Sequence, residues 1–122
     1  VVEPVMCNTA AILSDRDIEE LAAHYGALER YSHATTFNEN QAALGEEIHD
    51  RLCSRCHLPP DDPDVADAIG IPLHGQRADY LQYALESYLN GNRENLLPEM
   101  EEKVSLLGAD EVRALVEYYI SY

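Results

Sequence analysis

Apolar residues recur at helical spacing in four segments of the chain, and no segment alternates apolar and polar residues as a half-buried strand would. In the first segment, residues 13–26, Ser14 is followed three residues later by Asp17, which is a capping-box pattern, and Gly26 is a natural helix end. The other three segments are 40–56, 77–91 and 108–122. The pattern therefore predicts an all-α protein.

Each predicted helix has one apolar face, which we expect to be buried. The segments between them are polar or contain helix breakers: residues 29–40 lack a clear pattern, and residues 58–75 contain four prolines and two glycines. We expect both to be connecting segments. The predicted apolar faces are Ile18, Leu21, Ala22 and Tyr25; Leu44, Ile48 and Leu52; Leu81, Ala84, Leu85 and Tyr88; and Val112, Leu115, Val116 and Tyr119.

The two ends of the chain repeat each other. Shifted by 94 residues, residues 4–25 align with residues 98–119 without a gap, and the only two methionines, Met6 and Met100, coincide in a Pro-x-Met pattern. The repeat predicts that residues 1–30 are the Met-bearing tail and terminal helix of a first lobe. A linker of residues 31–44 would then lead to a complete second copy at residues 45–122.

The chain is strongly acidic, with 23 acidic and 8 basic residues among 122 and a net charge of −15. Phosphate backbones would repel such a surface, which argues against a nucleic-acid partner. Two explanations of the acidity stay open: steering toward the basic docking face of a protein partner, and adaptation to a salty environment. No apolar run approaches the roughly 20 residues that span a bilayer, so we expect no membrane span.

The stretch "LCSRCHLPP" carries the most specific chemistry, because Cys53, Cys56 and His57 form a CxxCH motif. Two thiols at this spacing can bond the two vinyl groups of one haem, and the following imidazole can ligate its iron. A structural zinc would need a fourth ligand, and a thioredoxin-like redox pair would need a βαβ context that the pattern lacks. Covalent haem is the favoured interpretation. The candidates for a fourth zinc ligand are Cys7, His49 and His74.

Met100 is the only methionine after the motif, and it lies 43 residues beyond His57 in what we expect to be a loop anchored by Pro98. A lone methionine is often core filler. The matching Pro-x-Met of the repeat favours the alternative, a thioether ligand on the second face of the iron. Such an iron would have no open position, so the protein would carry electrons and have no catalytic site. We expect the remaining histidines to be surface residues and Cys7 to be a small buried residue or an unpaired thiol. These histidines are His24, His33, His49 and His74.

Four pieces of the second copy together resemble the class I cytochromes c, and in particular the two-lobed bacterial kind. They are "GEEIHDRLCSRCH", "GIPLHGQRADYLQYALESYLNGNR", "LPEM" and "LVEYYISY", which fall within residues 45–122. The chain is most similar to the cytochrome subunits of flavocytochrome c sulfide dehydrogenases. It departs from that family in keeping only the tail of a first lobe, and Leu58 follows the motif where many relatives have glycine.

The resemblance implies a class I cytochrome c fold, one covalent haem c and several further site residues. The carbonyl of Pro72 would accept the Nδ1 proton of His57, which would fix the axial imidazole and raise its basicity. Gln76, Tyr80 and Arg93 match positions near the haem or its propionates.

The resemblance also implies a cellular role. Thioether attachment takes place outside the cytoplasm, so we expect a periplasmic protein that receives single electrons from a flavoprotein subunit containing FAD. That flavoprotein would oxidise sulfide, and the two chains would form a sulfide:cytochrome c oxidoreductase. The alternative is a free-standing shuttle to a terminal oxidase or reductase. A haem enzyme or sensor would require that Met100 does not bind the iron.

Overall fold

The structure, a computed structural model, describes residues 4–30, 35–94 and 97–122. These residues form six α-helices and one 3-10 helix and contain no strand, so the predicted all-α class is confirmed. No described helix is long and apolar enough to cross a membrane. The helices are α1 (Pro4–Ala11), α2 (Asp15–Gly26), α3 (Glu39–Leu52), α4 (Ala78–Leu89), α5 (Pro98–Val104) and α6 (Ala109–Ile120), and the 3-10 helix is Val65–Asp67.

The chain divides into two compact units, Val1–Tyr31 with α1 and α2, and Ser32–Tyr122 with α3 to α6. The second unit begins earlier than predicted. Because α3 begins at Glu39, with Asn38 accepting a hydrogen bond from Gln41 as its N-cap, the proposed linker of residues 31–44 overlaps a helix. Residues 31–34, in the first part of that linker, lie outside the described residues.

Helix α2 begins with the predicted capping box. The Ser14 hydroxyl accepts from the Asp17 backbone N–H at 3.2 Å, and the Asp17 carboxylate accepts from the Ser14 backbone N–H at 2.9 Å. The helix ends at Gly26, as expected. The predicted burial of its apolar face is not observed, because no residue of α1 or α2 is buried.

The helix boundaries follow the sequence repeat. Helices α2 and α6 begin and end 94 residues apart, and α1 and α5 begin at the equivalent Pro4 and Pro98. At the start of α6 the Gly108 backbone N–H donates to the Glu111 carboxylate at 3.0 Å, the same contact that Asp17 makes in α2. The same helix–turn–helix therefore occurs twice, which supports the repeat.

Helix α6 forms the centre of the second unit and packs against α3 and α4. Its predicted apolar face is buried, with Leu115 fully inaccessible and Tyr119 only 1% exposed. Leu81 of α4 completes this core, while the other predicted residues of α4 are half-buried. The prediction of the core is confirmed for these two helices.

The crossing of α3 and α6 depends on Gly45. A Cβ at this position would overlap the backbone oxygen of Ala114 and would lie 2.7 Å from the Cβ of Tyr118. Glycine alone permits this approach. The buried residues of α3 are Ala42, Gly45 and His49. The predicted face was wrong at Leu44, whose side chain is 49% exposed.

Candidate functional site

The CxxCH motif occupies the tight turn that ends α3. Cys53 is the C-cap, and its backbone N–H donates to the His49 carbonyl at 2.7 Å. The Cys53 carbonyl then accepts from the N–H groups of Cys56 and His57 at 3.1 and 3.0 Å. Both motif cysteines are free thiols, and all three motif side chains are half-buried. The turn holds two sulfurs and one imidazole within five consecutive residues.

The His57 imidazole is oriented by a backbone carbonyl. Its Nδ1 lies 2.7 Å from the oxygen of Ile71. Because a carbonyl can only accept, Nδ1 must carry the proton, and in the neutral ring Nε2 keeps its lone pair. The predicted acceptor, Pro72, is thus corrected by one residue. The Pro72 carbonyl instead accepts from Nε2 of Gln76 at 2.7 Å.

Gly70 forms one wall of the imidazole site. A Cβ on Gly70 would lie 2.5 Å from both Cε1 and Nδ1 of His57, and its backbone N–H donates to the Cys56 carbonyl at 2.9 Å. The segment 70–71 therefore fixes the ring by one hydrogen bond and one close backbone contact. Nothing in the sequence indicated this role beyond the presence of a glycine in a proline-rich loop.

Three buried polar side chains, those of His49, His74 and Tyr119, form a cluster next to the motif. His49 is only 3% exposed, and its Nδ1 lies 3.0 Å from the hydroxyl of Tyr119. His74 is fully buried, with its ring centroid 4.9 Å from that of His49 in an edge-to-face contact. The expectation that His49 and His74 are surface residues was wrong, because aromatic rings of α6 enclose both.

Burial shifts the titration of this cluster. It lowers the pKa of His49 below the ordinary 6.5, partly offset by the nearby Asp50 carboxylate, and His57 lowers it slightly further. Burial also raises the pKa of the Cys53 thiol, and the nearby Tyr119 hydroxyl offsets part of that rise. The pKa of Tyr119 is raised above its ordinary 10.0, mainly by burial. At neutral pH the side chains of His49, Cys53 and Tyr119 are therefore uncharged.

Two further predicted site residues, Tyr80 and Arg93, contact each other. Nη1 of Arg93 donates to the Tyr80 hydroxyl at 3.4 Å, and the guanidinium lies 5.0 Å from the ring centroid of Tyr88. Gln76, by contrast, bonds the Pro72 carbonyl and thus braces the loop next to His57. The propionate roles expected of Gln76, Tyr80 and Arg93 stay predictions.

Met100 lies in the first turn of α5, with Pro98 at the start of the helix and its own N–H donating to the Leu97 carbonyl at 3.1 Å. We expected a loop at this position, so the local structure was predicted wrongly. The side chain is half-buried. Ligation of iron by Met100 stays a prediction.

The other candidate residues fall elsewhere. Cys7 is exposed and is a free thiol, which agrees with the second of the two expected alternatives, an unpaired thiol. His24 is exposed, and His33 lies outside the described residues. In the described part of the chain, no group of three or more His, Cys, Asp or Glu side chains could hold a metal ion, so these residues do not form the four-ligand zinc site considered from the sequence.

No protein-family model matches the chain, and no curated protein matches it.

The geometry of the motif is suitable for a c-type haem. One turn presents two thiols and an imidazole whose Nε2 keeps its lone pair, and these are the groups that such a haem requires. The segment that contacts His57 also carries two exposed apolar side chains, Ile69 (70%) and Ile71 (64%).

Proposed function

We propose that this protein is a class I cytochrome c that carries single electrons through one covalent haem. Cys53 and Cys56 would form the thioethers, and His57 and Met100 would be the axial ligands. The observation that carries the proposal is the 2.7 Å contact between His57 Nδ1 and the Ile71 carbonyl within a CxxCH turn. Because Nδ1 donates to this carbonyl, the lone pair of Nε2 of His57 is available to bind a metal.

The residues around His57 set its properties as a ligand. The hydrogen bond from Nδ1 to Ile71 fixes the tautomer and makes Nε2 a better donor to iron. Gly70 holds the plane of the ring, and Gln76 ties down the next carbonyl of the same loop. The loop therefore contacts the ring of the proposed ligand directly, and Gln76 braces the loop itself.

When bound, the haem supplies a one-electron Fe(III)/Fe(II) couple. The thioether of Met100 would favour the reduced form and raise the potential. Arg93, braced by Tyr80 and Tyr88, is a cation that could neutralise a propionate. No described side chain is needed as an acid, base or nucleophile in this function.

The test of the axial pair compares Met100→Ala with Met6→Ala in protein matured with haem. Met6 is the matched control because it occupies the equivalent position of the repeat and is 64% exposed. We expect CO to bind the reduced Met100→Ala protein and to leave both the wild type and Met6→Ala unchanged. CO binding to the reduced wild type would show an open iron and would favour a haem enzyme or sensor.

For the partner, we propose a periplasmic flavoprotein containing FAD that oxidises sulfide and passes its electrons to this chain. The proposal rests on the sequence resemblance and on the charge of −15, which suits a basic docking face. Gentle isolation from the native source, with the mass and visible spectrum recorded together, tests it. Flavin absorbance in a larger complex would support the sulfide role, whereas a haem protein that migrates alone would favour the free shuttle.

A further inference from the structure

The connecting segment that contacts His57 enters the protein core at one place. Of residues 58–76, all of which the structure describes, only His74 and Gly75 are buried. The side chain of His74 is fully inaccessible, with 0% exposed. This buried position lies three residues after Ile71, whose carbonyl accepts the hydrogen bond from Nδ1 of His57.

Aromatic rings from two helices and the end of the chain enclose the ring of His74. The rings of Tyr118 and Tyr119 lie edge-to-face with it at centroid distances of 5.3 and 5.2 Å, and the ring of Tyr122 is tilted at 4.5 Å. From α3, the ring of His49 contacts it edge-to-face at 4.9 Å. Edge-to-face contact is a favourable arrangement of aromatic pairs, so these contacts hold the imidazole against α6.

Hydrogen bonds attach the same segment to α6 and close its turn. The backbone N–H of Gly75 donates to the Tyr119 carbonyl at 2.7 Å, from a backbone with a φ of 76° that favours glycine. Nε2 of Gln76 donates to the Pro72 carbonyl at 2.7 Å and so closes the turn on itself. Ile71 directly precedes this closed turn, so the place where the turn is attached to α6 also places the Ile71 carbonyl.

We propose that His74 is a positioning residue for His57. Its buried ring anchors the turn to α6 and thereby keeps the Ile71 carbonyl within reach of Nδ1. The inference rests on the proposed function, in which this hydrogen bond fixes the axial imidazole. A residue that only fills the core would contribute to stability and would leave the Nδ1 hydrogen bond unaffected when it is replaced.

The experiment removes the ring and follows the Nδ1 proton of His57 by NMR in the reduced, haem-matured protein. In His74→Ala we expect this proton signal to move upfield. Its exchange with water should accelerate roughly two- to tenfold, as expected for the loss of one hydrogen bond. We also expect a higher reduction potential than in the wild type, because an imidazole without this hydrogen bond is less basic and stabilises Fe(III) less.

Two further variants separate positioning from packing. Leu81→Ala is the matched control, because Leu81 is 3% exposed in the same core but belongs to α4 and not to the connecting segment. It should lower stability and leave the Nδ1 signal and the potential unchanged. His74→Phe keeps an aromatic ring at the anchor, so both quantities should return to their wild-type values.

A measurement on the wild type keeps the inference testable if His74→Ala does not fold. Hydrogen exchange in dilute denaturant compares the Nδ1 proton of His57 with the backbone N–H of Gly75. Because the segment between them is attached as one unit, we expect the two protons to become exposed in the same opening, with the same equilibrium constant.

The inference would be overturned by an unchanged Nδ1 signal in His74→Ala, by an equal change in Leu81→Ala, or by a lack of recovery in His74→Phe. Exchange of the His57 proton while Gly75 stays protected would overturn it as well. A wild type that carries no haem after maturation would instead overturn the proposed function, so the two failures are distinguishable.

Discussion

At the scale of single residues, the backbone contacts of His57 distinguish this site from an arbitrary CxxCH sequence. The ring is held between the Ile71 carbonyl and the Gly70 backbone. Both contacts are made by the backbone of residues 70–71, so neither could be inferred from residue types. The sequence predicted His57 as a ligand, and the structure shows which backbone atoms contact its ring.

Substitution of Gly70 by alanine tests this orientation. Because the new Cβ would lie 2.5 Å from two atoms of the ring, we expect His57 to shift and the protein to lose about 1–3 kcal/mol of stability. Urea unfolding measures the loss, and NMR follows the Nδ1 proton. Ile69→Ala, at the exposed neighbouring position, is the control. Unchanged stability and an unchanged Nδ1 signal in Gly70→Ala would contradict the close contact.

The buried His49 predicts a pH dependence of stability. Its pKa is lowered in the folded state, so the unfolded chain binds more protons and stability falls as pH drops below about 6.5. We expect the unfolding free energy of the wild type to decrease more between pH 7 and pH 5 than that of His49→Gln. His24→Gln, which changes an exposed histidine, should behave like the wild type. Parallel pH profiles for wild type and His49→Gln would show that His49 does not contribute.

At the scale of elements, the sequence pattern predicted the helices with a clear apolar period and missed the short ones. Helix α1 has no buried residue, and α5 has seven residues of which only Val104 is buried, so neither shows a strong apolar period. The repeat contained the missing information, because Pro4 and Pro98 both mark helix starts.

Two other misses have a physical cause. The buried face of α3 includes Gly45 and His49. Neither contributes to a hydrophobic pattern, because glycine has no side chain and histidine is counted as polar. His74 was missed for the same reason, since aromatic rings that cover a histidine are distant in sequence. Burial of such residues is decided by tertiary packing, which a local pattern does not contain.

The α3–α6 crossing can be tested through Gly45→Ala. The added methyl group would overlap the backbone oxygen of Ala114, so the helices must separate, and we expect a loss of about 1–3 kcal/mol or more. Thermal or urea unfolding measures it. In the control, Gly26→Ala, the new Cβ meets no atom within 4 Å, and stability should change little. Equal stability of the two variants would disprove the tight crossing.

At the scale of the whole molecule, the dominant property is the charge of −15. Like charges on one chain repel, and this repulsion opposes the compact state at low ionic strength. The few ion pairs among the described residues are mostly solvent-exposed and local in sequence, so they offset little of it.

We therefore expect salt to stabilise the protein. Raising NaCl from about 10 mM to about 1 M shortens the screening length from about 30 Å to about 3 Å, and the unfolding temperature should rise by several degrees. Calorimetry at constant pH measures the change. A flat or falling unfolding temperature would mean that self-repulsion is not a significant term.

The central claim is that Cys53 and Cys56 bind one haem covalently. The most direct measurement is the mass of the denatured protein after expression with a c-type haem maturation system, compared with the double variant Cys53→Ser/Cys56→Ser. We expect the wild type to retain the added mass of one haem after denaturation and the double variant to have the mass of the bare chain. A wild type with only the mass of the bare chain would contradict the claim.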